Sequence, residues 1–294
     1  MKILNKKNKT SIDKATILSK ALPFMQRYAR KNITIKFGGA AMGEVSLSSS
    51  FAKDIVLLKQ VGINPIVVHG GGPKIRKMLD KLKVKTDFVN GLRVTDKKTM
   101  DIVEMVLSGS INKEIVMEIN REGGRAIGLS GKDGLLAKTK KIKSQLKHKS
   151  KDLGFVGEPT NINSQLLNWF LDSHFVPVIS PIGFDKNFDS LNINADTMSG
   201  KVSSSVLSER LILLTDVDGV LDKKGKLISE LSLVEAKNLI KNGTISGGMI
   251  PKVETCIKAV QNGVKAAVIL NGKIPHALLL EIFTERGVGT LITK

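Results

Sequence analysis

A chain of 294 residues, 41% of them apolar, is long enough to bury a full core, as one large domain or as two lobes. No run of eighteen apolar residues occurs, so no membrane-spanning helix is expected, and the basic, polar stretch Met1 to Ser11 lacks the apolar run of a secretory signal. A net charge of +19 invites a nucleic-acid partner, but the lysines are scattered, aromatic residues make up only 4%, and no nucleic-acid motif is present, so a solvated basic surface is expected.

Residues 12–31 carry Ile17, Leu18, Ala21, Leu22, Phe24, Met25 and Tyr28 at helical spacing, with Pro23 set to kink the helix. Lying ahead of the first strand, this helix is either an arm for another subunit or a peripheral element. Asn32 to Phe37 reads as a strand that runs into Lys36-Phe37-Gly38-Gly39-Ala40-Ala41. A helix is expected over 47–61 and a second strand over Ile63 to His69, followed by Gly70-Gly71-Gly72-Pro73. Glycines clear Cβ atoms from this turn, and Pro73 suits the first position of a helix. N–H groups at such a turn can converge on a phosphate, although a plain connection has the same sequence. Two successive strand-turn-helix units imply parallel strands whose turns lie together at the carboxyl edge of one sheet, where open α/β folds bind ligands.

In Asn90-Gly91-Leu92-Arg93-Val94-Thr95-Asp96, Thr95 or Asp96 can cap a helix whose stripe is Ile102, Val103, Val106, Ile111, Ile115 and Ile119. Arg93, just before that cap, can clamp a carboxylate or form a surface salt bridge. Arg125 to Leu129 reads as a strand, and the polar region from Leu135 to Pro159 as hairpins flanking the sheet. The densest basic stretch, Lys138, Lys140, Lys141, Lys143, Lys147, Lys149 and Lys151, fits a solvent-facing hairpin. Phe175 to Ser180 is another buried strand.

Further on, Asn192 and Asn194 are two apart in an extended segment and face one side. Asp196 opens a helix through Val206, as its cap, as part of a ligand site, or as both. Leu211 to Leu214 is a strand whose carboxyl end, Thr215 and Asp216, suits a nucleotide. Asp216, Asp218 and Asp222 do not form a calcium loop, because the glycine position and the terminal glutamate are missing. After a helix over 232–243, Gly248-Met249-Ile250-Pro251-Lys252 sets Lys252 in the first turn of the next helix. There Val253, Cys256, Ile257 and Val260 share a face, so the single cysteine is expected to be a buried packing residue in a reducing compartment. Strand, helix and strand over 265–270, 276–283 and 289–292 complete the chain.

Two glycine turns, Lys36 and Lys252 beside glycine turns, and Asp196 are the ingredients of phosphoryl transfer. The chain has no G-x-x-x-x-G-K-[ST] and no full G-x-G-x-x-G with its downstream acid, which argues against a P-loop NTPase and a dinucleotide enzyme. No general base is evident, since His69 ends a buried strand and reads as structural. Phosphoryl transfer tolerates that, because positioning and charge neutralisation dominate it. A carboxylate nucleophile, with a pKa near ~4.3, is already ionised at neutral pH.

Lys36-Phe-Gly-Gly, His69-Gly-Gly-Gly-Pro73, Asn90-Gly-Leu-Arg-Val-Thr-Asp96, Asn192-Ile-Asn-Ala-Asp196, Leu214-Thr-Asp-Val-Asp-Gly219 and Gly248-Met-Ile-Pro-Lys252 occur in one order. Over almost the whole chain they resemble the acetylglutamate kinases of the amino acid kinase family. The resemblance implies an α/β fold with an open, mainly parallel central sheet sandwiched by helices. Residues 1–31 would be an oligomerisation arm, 32–205 the acyl-acceptor lobe and 206–294 the nucleotide lobe. The implied reaction moves the γ-phosphate of ATP to the side-chain carboxylate of N-acetyl-L-glutamate, in arginine synthesis.

By the same resemblance, Lys36 and Lys252 would stabilise the transferring phosphoryl group, with Asp196 holding both. Gly38, Gly39, Gly71 and Gly72 would donate N–H bonds to phosphate oxygens and to the reacting carboxylate. Arg93 would bind the α-carboxylate, Asn192 and Asn194 the acetamido end, and Thr215 and Asp216 would belong to the nucleotide lobe. Mg²⁺ would be held by the nucleotide phosphates and water, with no metal site of the protein's own. The N-terminal helix and Glu281-Ile-Phe-Thr-Glu-Arg-Gly-Val-Gly-Thr290 resemble the arginine-inhibited subgroup. This implies a hexamer built as a trimer of dimers, with L-arginine bound near Tyr28, Glu281 and Gly287. A PII-type signalling protein is a further candidate partner; nucleic acid and membrane are not. The compartment expected is the cytoplasm, or the plastid stroma for a plastid-encoded chain. Ala40, where the family commonly has Asn, and the basic Lys201 are small departures. A silent arginine sensor is disfavoured by both lysines and Asp196, and a carbamate or aspartate kinase by the Arg93 motif.

Overall fold

A computed structural model of the chain describes residues 6–38, 42, 44–89, 91–146 and 149–294. The expectations for Gly39, Ala40 and Asn90, and for the side chains of Lys143, Lys147, Lys149 and Lys151, lie outside what it describes. The first half holds α1 (Lys6–Tyr28), β1 (Asn32–Phe37), α2 (Val45–Gln60), β2 (Asn64–His69), α3 (Gly72–Lys81), β3 (Phe88–Val89), β4 (Leu92–Arg93), α4 (Lys97–Glu104), a π-helical segment (Met105–Ile111), α5 (Asn112–Arg121), β5 (Ala126–Ser130) and β6 (Ala137–Leu146). The second half holds β7 (Lys149–Ile162), α6 (Ser164–Asp172), β8 (Val176–Ser180), β9 (Ile182–Phe184), β10 (Ser190–Ile193), α7 (Ala195–Ser205), β11 (Arg210–Thr215), β12 (Glu230–Ser232), α8 (Leu233–Lys241), α9 (Met249–Gln261), β13 (Ala266–Asn271), α10 (Ala277–Ile282) and β14 (Thr290–Thr293).

Eight strands form the central sheet in the order β12-β14-β13-β11-β1-β2-β8-β5, parallel throughout except where β14 runs against β13. Near-continuous apolar strands such as Ile66-Val67-Val68 suit a sheet covered on both faces. Ile35, Phe37, Val67, Ile212 and Val268 pack on one face against α2, α4 and α5. Their neighbours point the other way, Ile66 and Val68 against α6 and α7, Leu211 and Ile269 against α9. Cys256 is buried in this last layer, as expected; burial, and then the nearby Asp196 charge, push its thiol pKa up.

The polar region between β5 and α6 forms a long hairpin, β6 and β7, as expected of it. With β9 and β10 the hairpin also closes a small four-stranded barrel, which the local pattern does not reveal. Asp96, rather than Thr95, caps α4, its side chain accepting from the Thr99 N–H at 2.7 Å. Val103, Leu107, Ile111, Ile115 and Ile119 are all buried, at a spacing of four over α4 to α5. That spacing outruns an α-helical turn, and the wider π-helical turns in the middle bring the stripe back to the core. Helix α1 continues through Pro23 and leaves Ile12, Ile17, Leu18 and Leu22 at least half exposed. Among the described residues no helix is long and apolar enough to cross a membrane.

Phe51 of α2 stacks on Phe37 of β1, ring centroids 3.9 Å apart and planes within 4°. Phe51→Ala is expected to lower the unfolding free energy by about 3–5 kcal/mol, read as a lower urea midpoint with an unchanged slope.

Candidate active site

Parallel pairing of β1 with β2, with Phe37 opposite His69, places their glycine turns side by side. The Gly70 N–H donates to the Phe37 carbonyl at 2.8 Å across the gap. A Cβ on Gly71 would lie 2.6 Å from the side-chain tips of both Leu107 and Ile111, so any larger residue there must push the π-helical segment's side chains aside. A Cβ on Gly38 would lie 3.1 Å from the Lys36 ammonium. Helix α3 starts at Gly72, which puts Pro73 one position later than expected.

Facing these turns is the first turn of α7, which carries Asp196. Its buried carboxylate meets two ammonium groups: Lys36 Nζ is 3.1 Å from Oδ1, and Lys252 Nζ donates to Oδ2 at 2.8 Å. The Lys36 contact is an ion pair without aligned hydrogen-bond geometry, so among the described residues Oδ1 has no hydrogen-bond donor. Burial alone would raise the Asp196 pKa, but the two ammonium charges outweigh it and hold the carboxyl below its ordinary range. The cap of α7 is Asn194, not Asp196: its Oδ1 accepts from the N–H groups of Asp196 at 2.9 Å and Thr197 at 3.1 Å. The capping work falls to Asn194, so the Asp196 carboxylate is left for the lysines. Asn192 donates to Thr95 Oγ1 at 3.3 Å.

Arg93 is buried rather than part of a surface salt bridge. Among the described residues its Nη1 has no hydrogen-bond partner and its Nη2 reaches only the Gly72 carbonyl at 3.5 Å, and its guanidinium lies 4.5 Å from the Phe88 ring centre. Burial, and then the nearby Arg76, push its pKa down, while Asp80 pulls the other way. A buried guanidinium with unspent donors is costly unless an anion completes it. One cleft of about 320 Å³ is lined by Lys36, Lys252, Asp196, Arg93, Asn192, Asn194 and the Gly70-Gly71-Gly72 turn. A larger cavity of about 630 Å³ opens between α2 and α5, with much of its charged rim already paired, as in Lys74 with Glu114 and Arg121 with Glu118.

The remaining candidates stand apart from this cleft. Thr215 is buried at the end of β11, where its hydroxyl closes the turn onto Val217, and Asp216 is exposed. Glu281 accepts from the Val288 N–H at 3.0 Å; burial raises its pKa, against a lowering by Val288 and Arg210. Arg210 lies 5.7 Å from the ring centre of the buried Tyr28, and its charge is also felt at Glu281. Gly287 has φ of 60°, which favours glycine, and a Cβ there would collide with the Glu281 carboxylate. Arg210 carries no motif signal and sequence reasoning missed it, as it missed Phe88 beneath Arg93. Among the described residues no group of three or more His, Cys, Asp or Glu side chains converges to hold a metal ion. His69 is fully buried at the end of β2 and does not line the cleft, with Nδ1 2.9 Å from the Gly70 carbonyl and Nε2 3.3 Å from Asn112 Nδ2.

The family model described as the amino acid kinase family matches residues 31–271. The acetylglutamate kinase of Rhodospirillum rubrum is 57% identical over 96% of this chain and 93% of its own. That of Parvibaculum lavamentivorans is 55% identical over 96% of this chain and 95% of its own. The solved structure of N-acetylglutamate synthase from Neisseria gonorrhoeae, complexed with coenzyme A and N-acetyl-glutamate, superposes with a TM-score of 0.85 at 22% identity. The match covers 95% of this chain and 63% of that protein, and it is a likeness of fold.

Burial lowers the His69 pKa from 6.5 to about 4. The unfolded chain therefore takes up a proton that the fold refuses, so the contribution is complete above about pH 6.5 and is lost as pH falls toward 4. Denaturation curves between these limits should show stability falling by up to roughly 3 kcal/mol from this group. His69→Asn should remove that part of the slope.

Proposed function

The chain belongs to the amino acid kinase family, and from that premise we infer that it phosphorylates N-acetyl-L-glutamate, moving the γ-phosphate of ATP to the side-chain carboxylate in arginine biosynthesis. The observation that carries the reading is one cleft holding both a lysine pair clasped by a buried carboxylate and a buried guanidinium whose Nη1 has no hydrogen-bond partner among the described residues. The substrate is a dicarboxylate: its α-carboxylate pairs with Arg93, and its side-chain carboxylate, already ionised, attacks without a base. Lys36 and Lys252 neutralise the oxygens of the transferring phosphoryl group, and Asp196 holds both ammonium groups and offsets their repulsion. The N–H groups of Gly38, Gly39, Gly71 and Gly72 complete the cradle. Asn192 and Asn194 take the acetamido end, Asn194 through its amide nitrogen, since its oxygen is committed to the cap.

The lobes 32–205 and 206–294 divide acceptor from nucleotide, the latter with Thr215 and Asp216. Mg²⁺ would be held by the nucleotide phosphates and by water, where it would neutralise phosphate charge. L-arginine acts as a feedback inhibitor near Tyr28, Glu281 and Gly287; the half-buried Glu281 carboxylate is a natural partner for its guanidinium. The exposed apolar residues of α1 suit an arm that assembles dimers into a hexamer, with a PII-type protein as a further partner and the cytoplasm or plastid stroma as the setting.

A coupled ADP-release assay with ATP, Mg²⁺ and N-acetyl-L-glutamate should show turnover that glutamate and aspartate do not support and that arginine suppresses. Absence of turnover with every acid would defeat the kinase reading in favour of a silent arginine sensor. Lys252→Ala should lower kcat about 10²–10³-fold with an unchanged circular dichroism spectrum. Arg93→Ala should instead raise KM for N-acetyl-L-glutamate about 10–100-fold; an unchanged KM would count against the clamp.

A further inference from the structure

Beneath the glycine turn lies a buried polar chain for which the functional reading has no use. The Gly70 carbonyl can only accept, so His69 Nδ1, 2.9 Å away, carries the proton, and Nε2 is left to accept from Asn112 Nδ2 at 3.3 Å. Asn112 Nδ2 also donates to the Val178 carbonyl of β8 at 2.8 Å, and its Oδ1 accepts from Lys113 Nζ at 3.2 Å. Space for this amide is made by Gly128, where a Cβ would collide with Asn112. Both His69 and Asn112 are almost wholly buried, where an imidazole and an amide are costlier than apolar side chains unless their bonds are made.

The Gly70–Gly71 peptide is trans, so its carbonyl and its N–H point in opposite directions. Its carbonyl is tied to the His69 ring, on the face of the sheet that carries Val67 and α5. The Gly71 N–H therefore faces away from that ring, toward the α7 side, where Gly71 and Asp196 line one cleft. Among the described residues it meets no hydrogen-bond acceptor. We infer that His69, braced by Asn112, is a positioning residue that fixes the plane of the Gly70–Gly71 peptide and so aims the Gly71 N–H at the oxygens of the reacting groups. The inference rests on the kinase reading above. Asn112 directly follows the π-helical segment, so the same wide turns that close Leu107 and Ile111 over Gly71 also deliver the amide to the imidazole. A donor fixed in advance needs no reorientation as charge moves, so its loosening is felt in kcat rather than in KM.

Two isosteric variants separate the tether from the brace. His69→Asn sets an amide N–H at the place of Nδ1 and keeps the bond to the Gly70 carbonyl, whereas His69→Gln sets its amide at the place of Nε2 and loses that bond. In the ADP-release assay, His69→Asn should stay within about threefold of the wild-type kcat. His69→Gln should lose at least about tenfold in kcat, with both KM values within about twofold and the two unfolding midpoints within a few degrees. Equal losses in the two variants, or losses that follow the unfolding midpoint, would overturn the inference. In the wild-type protein, the ring nitrogen chemical shifts of His69 should report the Nδ1–H tautomer; the Nε2–H tautomer would overturn it whatever the variants do. Wild-type turnover with indistinguishable variants strikes this inference alone, while absent wild-type turnover strikes the kinase reading with it.

Discussion

A carboxylate buried between two ammonium groups fixes more of this molecule than any other contact. Lys36 comes from a central strand, Asp196 from the first turn of α7, and Lys252 from the first turn of α9, so one ion triad ties three separate elements to a single point. Electrostatics makes the arrangement one-sided. Two positive charges and one negative leave a net positive charge in a largely buried place, which is unfavourable alone and is relieved by an anion. The glycine turns follow from the same constraint: a side chain at Gly38 would press on the Lys36 head group, and one at Gly71 on the layer behind it.

The triad also explains a division of labour among amides and acids that composition alone leaves open. Asp and Asn are interchangeable as helix caps, so a sequence with both near a helix start does not say which one caps. Here Asn194 does so, and the neighbouring carboxylate keeps its charge for the lysines. Arg93 is treated in the opposite way. No carboxylate pairs with it among the described residues, and an aromatic face beside the guanidinium supports the charge without spending its donors.

How much of this is legible in the sequence depends on the range of the interaction. Strands such as Ile33 to Phe37, Ile66 to His69 and Leu211 to Leu214 announce themselves by β-branched and aliphatic runs, and the glycine turns and the start of α4 by local chemistry. The convergence of Lys36, Asp196 and Lys252 is foreseen from motif resemblance, since residues 160 and 56 apart carry no local sign of contact. The four-stranded barrel is invisible for the same reason: β10 pairs in parallel with β7 across two intervening strands and a helix. The brace between His69 and Asn112 is hidden too, because an asparagine in a helical stripe looks like an interruption of the core until its partners are seen.

The position of β1 has a consequence for how the chain is made. Its partners are β2, which follows directly, and β11, whose residues lie more than 170 positions further on, as in the pairing of Ile33 with Arg210. During synthesis the nascent chain therefore carries an apolar strand edge that stays open until most of the polypeptide has left the ribosome. Neither proposed lobe can close the middle of the sheet by itself. Completion waits on the last third of the chain, and a chaperone that shields the β1 edge in that interval would guard the step at which the polypeptide is most exposed to aggregation.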